Sequence, residues 1–356
     1  MPTKPIITTI IPTYRRPLLL ARAIKSVLNQ TYPEFNVFIC DDASGDETRK
    51  VVEHFMAQDS RVKYYCHEKN IGGIKNYPFA MQKITTDFFT FLSDDDALLP
   101  TFFERVIEEF VKYPDAAYVT TQVVTMNDKG RICGKPMDYF PAGYYPAPTG
   151  IVEMTKYGPP IWNGTCFRGD VMREFGLVST DVGLVSDHEY LLRIAASKPF
   201  VVTDYPGAIF LAHADQISSM LVPAAVFKNR KTLVNKITDD YRIEGGKFRE
   251  KAAGNVISNA NRYLVVPMLL SVIKDGPKQV REIYESARGT SFLFIRRYAK
   301  LLLIATRIKI LNNFLILMYR FYKTVQLKDN NEVQLADNKY QDYLLSLVPR
   351  NGMVGK

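Results

Sequence analysis

The sequence predicts an α/β fold: a largely parallel β-sheet with helices on both faces, followed by a helical C-terminal region. Three observations carry this. The first 125 residues alternate β-branched runs with segments of helical period, polar residues able to do chemistry fall where those runs end, and from about residue 222 the pattern turns helical and basic. Strands and helices alternating at this spacing are the mark of a parallel sheet covered by its own crossover helices. In such sheets ligands bind beyond the carboxyl ends of the strands.

Taken in order, residues 6–14 (IITTIIPTY) are a first strand ending at Thr13. After Pro17, Leu20, Ala23, Ile24, Val27 and Leu28 recur at the spacing of one helix face. Residues 35–42 (FNVFICDD) are a second strand, and Ser44 with Glu47 has capping-box spacing ahead of a helix carrying Val51, Val52 and Phe55. Residues 61–68 are a third strand and 76–83 a helix, and 87–96 (DFFTFLSDDD) are a fourth strand running into three aspartates. Beyond Pro100, Thr101 and Glu104 repeat the capping-box spacing before Phe103, Val106, Ile107, Phe110 and Val111. Residues 116–126 are a fifth strand closed by a turn at 127–130. Residues 138–150, rich in Pro, Gly and Tyr, read as a long irregular loop of the kind that carries function. Residues 200–214 are again strand-like.

With 47% hydrophobic residues and no low-complexity tract, the 356-residue composition is that of a folded globular protein. Cys40, Cys66, Cys133 and Cys166 lie far apart with no CxxC pair, as expected of reduced thiols in a reducing compartment. Prolines at 2, 5 and 12 interrupt an apolar run too short for a secretory h-region, so no signal peptide is expected and the cytoplasm is the expected location. The net charge of +9 is uneven: residues 228–323 hold 20 Lys/Arg against 7 Asp/Glu, leaving a net −4 elsewhere. A basic helical third asks for an anionic partner, whether lipid surface, polyanion or nucleic acid. The expected organisation is a domain over 1–220, divided near 125, then a basic helical region over 221–326 and a polar, loosely attached tail over 327–356.

The stretch FLSDDDALLP (91–100) poses the chemical question. Two carboxylates about 4 Å apart repel by roughly 4 kcal/mol at an effective dielectric near 20, so Asp94, Asp95 and Asp96 need a countercharge. A hard divalent cation, Mg²⁺ or Mn²⁺, suits such oxygens and is most useful if it also holds a diphosphate. A solvated acidic turn is the alternative for the triplet taken alone.

Together with PTYRRP after the first strand, NQTYPEFNVFICDDASGDET and NIGG, in one order and spacing, this stretch resembles the family 2 inverting glycosyltransferases of GT-A fold over roughly residues 5–220. The resemblance implies a nucleoside-diphosphate sugar as donor, with a nucleotide-binding half over about 1–125 and an acceptor-binding half over about 126–220. Thr13, Tyr14 and Arg15 would line its nucleotide pocket. Asp42 would accept a hydrogen bond from the base, which makes UDP the first expectation, although Asp41-Asp42 also reads as a turn. Asn70, Gly72 and Gly73 would let the backbone approach the nucleotide, with Lys75 near a phosphate. Asp95 would be the direct metal ligand, Asp94 would lie near the ribose, and Asp96 would support metal or sugar; relatives commonly carry Asp where this chain has Ser93.

An inverting transfer is a single displacement, and the acceptor hydroxyl needs a base. The resemblance places Asp187, in SDHEYLLRI, at that position, with Ser186 where relatives often have Glu. The same residues read as a capping box, Ser186 to Glu189, with Asp187 at the positive end of the helix. His213 falls where relatives bring a histidine to the metal, although Leu211 replaces an arginine many of them carry, and a structural histidine is the alternative. Trp162, with Asn163 and Gly164, falls where relatives shape the sugar pocket, and as the chain's single tryptophan equally suits a core anchor.

From Ser291 to Gln326 the chain has seven Lys/Arg and no acid. Its apolar runs are far shorter than the roughly 20 residues a bilayer span needs. On a helical wheel Arg296, Arg297, Lys300 and Arg307 share one face with the Leu/Ile positions largely opposite, fitting either peripheral contact with an anionic membrane or an ordinary helical subdomain with an oligomer contact. The acceptor expected is a growing or lipid-linked glycan. Two rival classes fit less well. A nucleotidylyltransferase or a DxDxT phosphatase needs a Gly-rich loop after the first strand, or a Thr where Leu98 stands. A nucleic-acid binder would carry its charge among exposed aromatics on a sheet, so no nucleic-acid partner is expected.

Overall fold

The computed structural model describes residues 4–127, 132, 140–212, 222–307, 317 and 339–347. They belong to two compact units, Met1–His213 with Val333–Lys356, and Ala214–Glu332.

The first unit is built on one nine-stranded sheet. Its elements are β1 (Ile7–Thr13), α1 (Pro17–Leu28), β2 (Phe35–Asp41), α2 (Thr48–Gln58), β3 (Val62–Cys66), α3 (Gly73–Met81), β4 (Phe88–Phe91), β5 (Ala97–Leu98), α4 (Phe102–Lys112), β6 (Tyr118–Asn127), β7 (Gly143–Tyr145), α5 (Thr149–Tyr157), β8 (Thr165–Arg168), α6 (Val171–Phe175), α7 (Ser186–Ala195) and β9 (Phe200–Ala212). The strand order is β3-β2-β1-β4-β8-β6-β9-β5, with β7 also on β9. β3, β2, β1 and β4 are parallel, as are β6 and β9. β8 runs antiparallel between β4 and β6, and β5 and β7 are antiparallel to β9. The expected α/β architecture is therefore present as a mixed sheet, because the short strand β8 inserts where a fifth parallel strand was expected to follow β4.

β1 is buried along its whole length. Ile7 and Ile11 pack with Leu20, Ile24, Val37, Ile39, Val51, Leu98 and Phe103 in one core. Full burial of each such side chain contributes roughly 1.5–3 kcal/mol. This fixes the register, since a one-residue slip would turn every side chain of a strand to the other face. Thr13 pairs with Asp41 and Asp41 with Cys66, so the carboxyl ends of β1, β2 and β3 lie level, while β4 ends at Phe91 opposite Ile10 and hands over to the acidic turn before that level.

Two expected capping boxes do not form. The Ser44 hydroxyl donates to Asp41 and accepts from the Arg15 N–H, while Asp46 caps Thr48. Thr101 takes the N-cap position of α4 without a side-chain bond, and Glu104 instead accepts from Thr31. In each case a partner distant in sequence outcompetes the local cap. The 138–150 segment is partly regular, since it contains β7 and the start of α5. The turn expected at 127–130 lies, past Asn127, outside the described residues.

The tail departs from expectation as well. Residues Lys339–Leu347 form a helix, α12, which follows α8 (Pro223–Asn235), α9 (Gly246–Asp275), α10 (Lys278–Ser286) and α11 (Leu293–Ala305) of the second unit. Leu344 and Leu347 are buried with Ala97, Leu99, Val124, Met126, Ile209 and Leu211. The Tyr343 hydroxyl donates to the Leu98 carbonyl at 2.8 Å. These two leucines, not the surrounding polarity, decide the fate of 339–347.

Within the second unit, α9 is long and apolar enough to cross a membrane by length and composition. Its Ala252, Val256, Ala260, Leu264 and Met268 form a buried stripe. α11 buries Ile295, Ala299 and Leu302, but Leu293 (58% exposed), Phe294 (52%) and Leu301 (63%) face outward beside the exposed Arg297, Lys300 and Arg307. The expected separation of apolar and basic faces therefore does not hold: the outer face carries both. Apart from Leu317, residues 308–326 lie outside the described residues.

Candidate active site

The acidic turn follows β4 and reaches the level of Thr13. Asp94 accepts a hydrogen bond from the Thr13 hydroxyl at 2.8 Å. The Arg16 guanidinium, from the N-terminus of α1, bridges Asp94 at 3.2 Å and Asp95 at 2.8 Å. Arg22, further along α1, donates to the Asp95 carbonyl at 2.5 Å. Asp96 turns inward and is fully buried, accepting from the Leu211 N–H at 2.8 Å and from the Asn163 side-chain amide. The Asn163 carbonyl oxygen in turn accepts from the Ser93 N–H at 3.0 Å and hydroxyl at 3.2 Å. The countercharge demanded by the triplet is thus supplied from within the chain, by two arginines and a set of amide donors.

Electrostatics follow from this packing. Burial, reinforced by the Asp95 charge, raises Asp94 to about 6 against the pull of Thr13 and Arg16. Burial also holds Asp96 well above the usual carboxylate range, again with Asp95 adding to it. Burial works to lower Arg16, but Asp94 and Asp95 outweigh it and raise the guanidinium. At Arg22 burial wins and lowers it, with Asp96 and Asp95 opposing only in part.

Two carboxylates that already converge on one cation are an oxygen donor set of the kind a small divalent ion shares with phosphate and water. Asp94 and Asp95 fit that description, whereas Asp96 faces Asn163 and Leu211 instead. Among the described residues no three His, Cys, Asp or Glu side chains are grouped to hold an ion by themselves. His213 lies outside the described residues.

At the ends of β1 and β2, Arg15 (φ 56°) and Ala43 (φ 60°) both adopt the left-handed conformation, which costs non-glycine residues about 1 kcal/mol or more each. Arg15 is held there by Ser44: its N–H donates to the hydroxyl at 2.8 Å and its Nε to the carbonyl at 3.1 Å. Its guanidinium lies over the half-exposed Tyr14 ring, 5.1 Å from the centroid. Asp42 is buried, and its carboxylate accepts from the N–H groups of Ile71 at 2.6 Å and Gly72 at 2.9 Å. Asn70 adds a bond to the Asp42 carbonyl at 3.2 Å, so Asp42 organises the loop ahead of α3. Gly72 needs its positive φ of 88° there. A Cβ on Gly72 or Gly73 would meet no atom within 4 Å, so this side of the loop is open. Lys75 is exposed on the first turn of α3.

Asp187 lies in the first turn of α7, half exposed, and accepts from the His188 N–H at 2.8 Å. The capping box expected around it does not form. Ser186 is the first helical residue and donates to the Gly183 carbonyl, and buried Glu189 pairs with Arg193 at 3.1 Å. The Tyr77 ring of α3 packs on Phe91 with centroids 5.5 Å apart. Burial, together with the charges of Asp94, Asp95 and Asp187, holds its phenol above the ordinary range. All three carboxylates therefore act electrostatically on one tyrosine. Trp162 is 6% exposed, stacked on Phe91 at 4.4 Å and packed against Phe167 and Tyr190, with its indole N–H buried and without an acceptor among the described residues.

The structure brings Thr13, Asp94 and Asp95 together, and groups Asp42 with Asn70 and Gly72 separately. Sequence reasoning passed over Arg16, Arg22, Tyr77 and the bridging role of Asn163. Only the Arg-Arg doublet in PTYRRP hinted at the first, and nothing local shows which arginine turns toward the acids.

Residues 8–153 match the family model described as Glycosyl transferase family 2. A Campylobacter jejuni protein, GalNAc(5)-diNAcBac-PP-undecaprenol beta-1,3-glucosyltransferase, is 37% identical over 98 residues, a match spanning 27% of this chain and 31% of that relative's own length. S. aureus TarS 1–349 in complex with UDP superposes with a TM-score of 0.61 at 16% identity, covering 83% of this chain and 87% of TarS 1–349. The mannosyltransferase PcManGT from Pyrobaculum calidifontis, in complex with GDP-Man and Mn²⁺, gives a TM-score of 0.51 at 16% identity over 97% of this chain and 86% of its own. At these identities the structural matches speak for the fold.

Proposed function

We propose, from the premise that this chain belongs through residues 8–153 to glycosyl transferase family 2, that it moves a sugar from a nucleoside-diphosphate sugar to a hydroxyl of a lipid-linked or growing glycan with inversion. The observation that carries this is the pair Asp94 and Asp95. They are buried past the carboxyl end of β4 beside Thr13 and hold the Arg16 guanidinium between them.

In this reading Thr13, Tyr14 and Arg15 line the nucleotide pocket beside the loop that Asp42 organises through Asn70 and Gly72. Gly73 leaves the backbone open to the diphosphate, and Lys75 stands on the same turn. Asp94 and Asp95 would hold a divalent ion, Mn²⁺ or Mg²⁺, which when bound neutralises the leaving diphosphate. Asp96, clasped by Asn163 and the Leu211 N–H, keeps the turn in place, and Trp162 backs it through Phe91. Asp187, on a helix N-terminus and partly exposed, takes the proton of the attacking acceptor hydroxyl. UDP is the first nucleotide to test, because TarS is solved with UDP and the family resemblance sets Asp42 against the base; GDP is the second, from PcManGT.

The acceptor class follows the name of the C. jejuni relative, which carries an undecaprenol diphosphate. A lipid-linked acceptor would place the enzyme on the cytoplasmic face of a membrane, and the outer face of α11, apolar and basic together, suits peripheral contact with anionic lipid. The test of the donor site is thermal stability against UDP, GDP, dTDP and CMP with and without Mn²⁺, for wild type and Asp95→Ala. Stabilisation by one nucleoside diphosphate that needs both Mn²⁺ and Asp95 is expected. No shift with any nucleotide would leave the family membership as a fold without this chemistry.

A further inference from the structure

Arg16 takes no part in the displacement just described, yet it makes the closest charged contacts in the acidic turn, 2.8 Å to Asp95 and 3.2 Å to Asp94 through one nitrogen. Those carboxylate oxygens are the ones a divalent ion would take, and a guanidinium and a metal ion cannot both sit in the same cleft against the same lone pairs. The backbone around Arg16 is fixed. Pro17 follows it at the first position of α1, its carbonyl accepts from the Leu20 N–H at 2.9 Å, and Arg15 before it is tied to Ser44. The side chain is less constrained: it is 27% exposed, against 8% and 10% for Asp94 and Asp95. A planar guanidinium beside a diphosphate site has a second partner ready, because its donors match phosphate oxygens as well as carboxylates.

We propose that Arg16 is a stand-in cation. It neutralises Asp94 and Asp95 in the ligand-free protein, competes with the divalent ion for them, and turns to the donor's diphosphate when metal and nucleotide arrive together. The inference rests on the donor-site reading above. Its consequence is coupling. Metal alone must displace a positive charge and binds weakly, whereas a nucleoside diphosphate gives the displaced guanidinium a new anion, so each ligand strengthens the other by the same factor.

The experiment is Mn²⁺ titration of the full chain followed by electron paramagnetic resonance of free Mn²⁺. It is run alone and with UDP or GDP, for wild type, Arg16→Gln and Arg16→Lys, with thermal melts in parallel. Wild type is expected to bind Mn²⁺ weakly alone and at least tenfold tighter with the right nucleotide. Arg16→Gln is expected to bind Mn²⁺ alone several-fold tighter than wild type, to gain more melting temperature from Mn²⁺ alone, and to show weaker coupling to nucleotide. Arg16→Lys, which keeps the charge but has no fork, should fall between the two, and it carries the comparison if Arg16→Gln does not fold. Variants that bind Mn²⁺ no tighter than wild type, while nucleotide still promotes Mn²⁺ binding, would overturn the role of Arg16 and leave the donor site standing. Absence of Mn²⁺ binding in every protein under every condition would overturn both.

Discussion

Replacing Asn163 with alanine tests whether the acidic turn is built as described. Asn163 is buried and spans the turn, its carbonyl oxygen taking the Ser93 N–H and hydroxyl and its amide donating to Asp96. Alanine leaves the fully buried Asp96 with the Leu211 N–H as its remaining hydrogen-bond donor among the described residues. Loss of a hydrogen bond to a buried charged group costs about 1.5–3 kcal/mol, and an orphaned backbone N–H adds about 1 kcal/mol. The expected total is about 3 kcal/mol, and at about 2–4 °C per kcal/mol for a unit of this size the melting temperature should fall by about 6–12 °C. The assay is thermal unfolding by circular dichroism, with urea titration to confirm that the slope is unchanged. Asn163→Asp separates the two contacts, because it keeps an acceptor for Ser93 but sets a second carboxyl against Asp96. Its destabilisation should exceed that of alanine at pH 7 and shrink as the pH is lowered and the pair takes up a shared proton. A drop of less than about 2 °C for alanine, or a destabilisation by Asn163→Asp that does not change with pH, would refute the clasp.

Three further outcomes follow from the same geometry. Asp94 is raised from its ordinary 3.8 to about 6, so the folded state takes up a proton between those values. Its contribution to stability is full below the lower value and is lost as pH rises through about 6. Asp94→Asn should therefore remove part of the pH dependence of unfolding between about pH 4 and 6, and identical slopes for the two proteins would contradict the shift. Asp187→Asn should lower transfer by at least about 10²-fold while leaving nucleotide-induced stabilisation intact, and near-normal turnover would remove it as the base. In flotation with anionic vesicles at low salt, Phe294→Asp with Leu301→Asp and Arg297→Gln with Lys300→Gln should each release the protein; no binding by wild type would end the membrane proposal.

Much of this protein is legible in its residue pattern, where burial and local geometry act over a few neighbouring positions. Leu20, Ile24 and Val27 at helical spacing locate α1, the β-branched run to Thr13 locates β1, and three aspartates ending an apolar run mark the carboxyl pole of the sheet. What the pattern does not hold is any contact whose two halves are far apart in the chain. Ser44 and Thr101 look like helix caps because that arithmetic is local, yet distant Arg15 claims the first and distant Thr31 claims Glu104, the expected partner of the second; Ser186 is lost to a nearer rival, the Gly183 carbonyl. α12 reads as tail until Leu344 and Leu347 find an apolar surface formed by residues 97–211. The residue pattern alone marks an α/β chain with a carboxylate-rich turn and a resemblance to the family 2 glycosyltransferases. Tertiary structure alone decided that Asp96 faces inward to Asn163 and that Arg16 and not Arg15 meets the acids. The physical reason is that buried charges are stabilised by whichever donors the fold brings within about 3 Å, and that distance is set by strand register and helix packing across long stretches of chain.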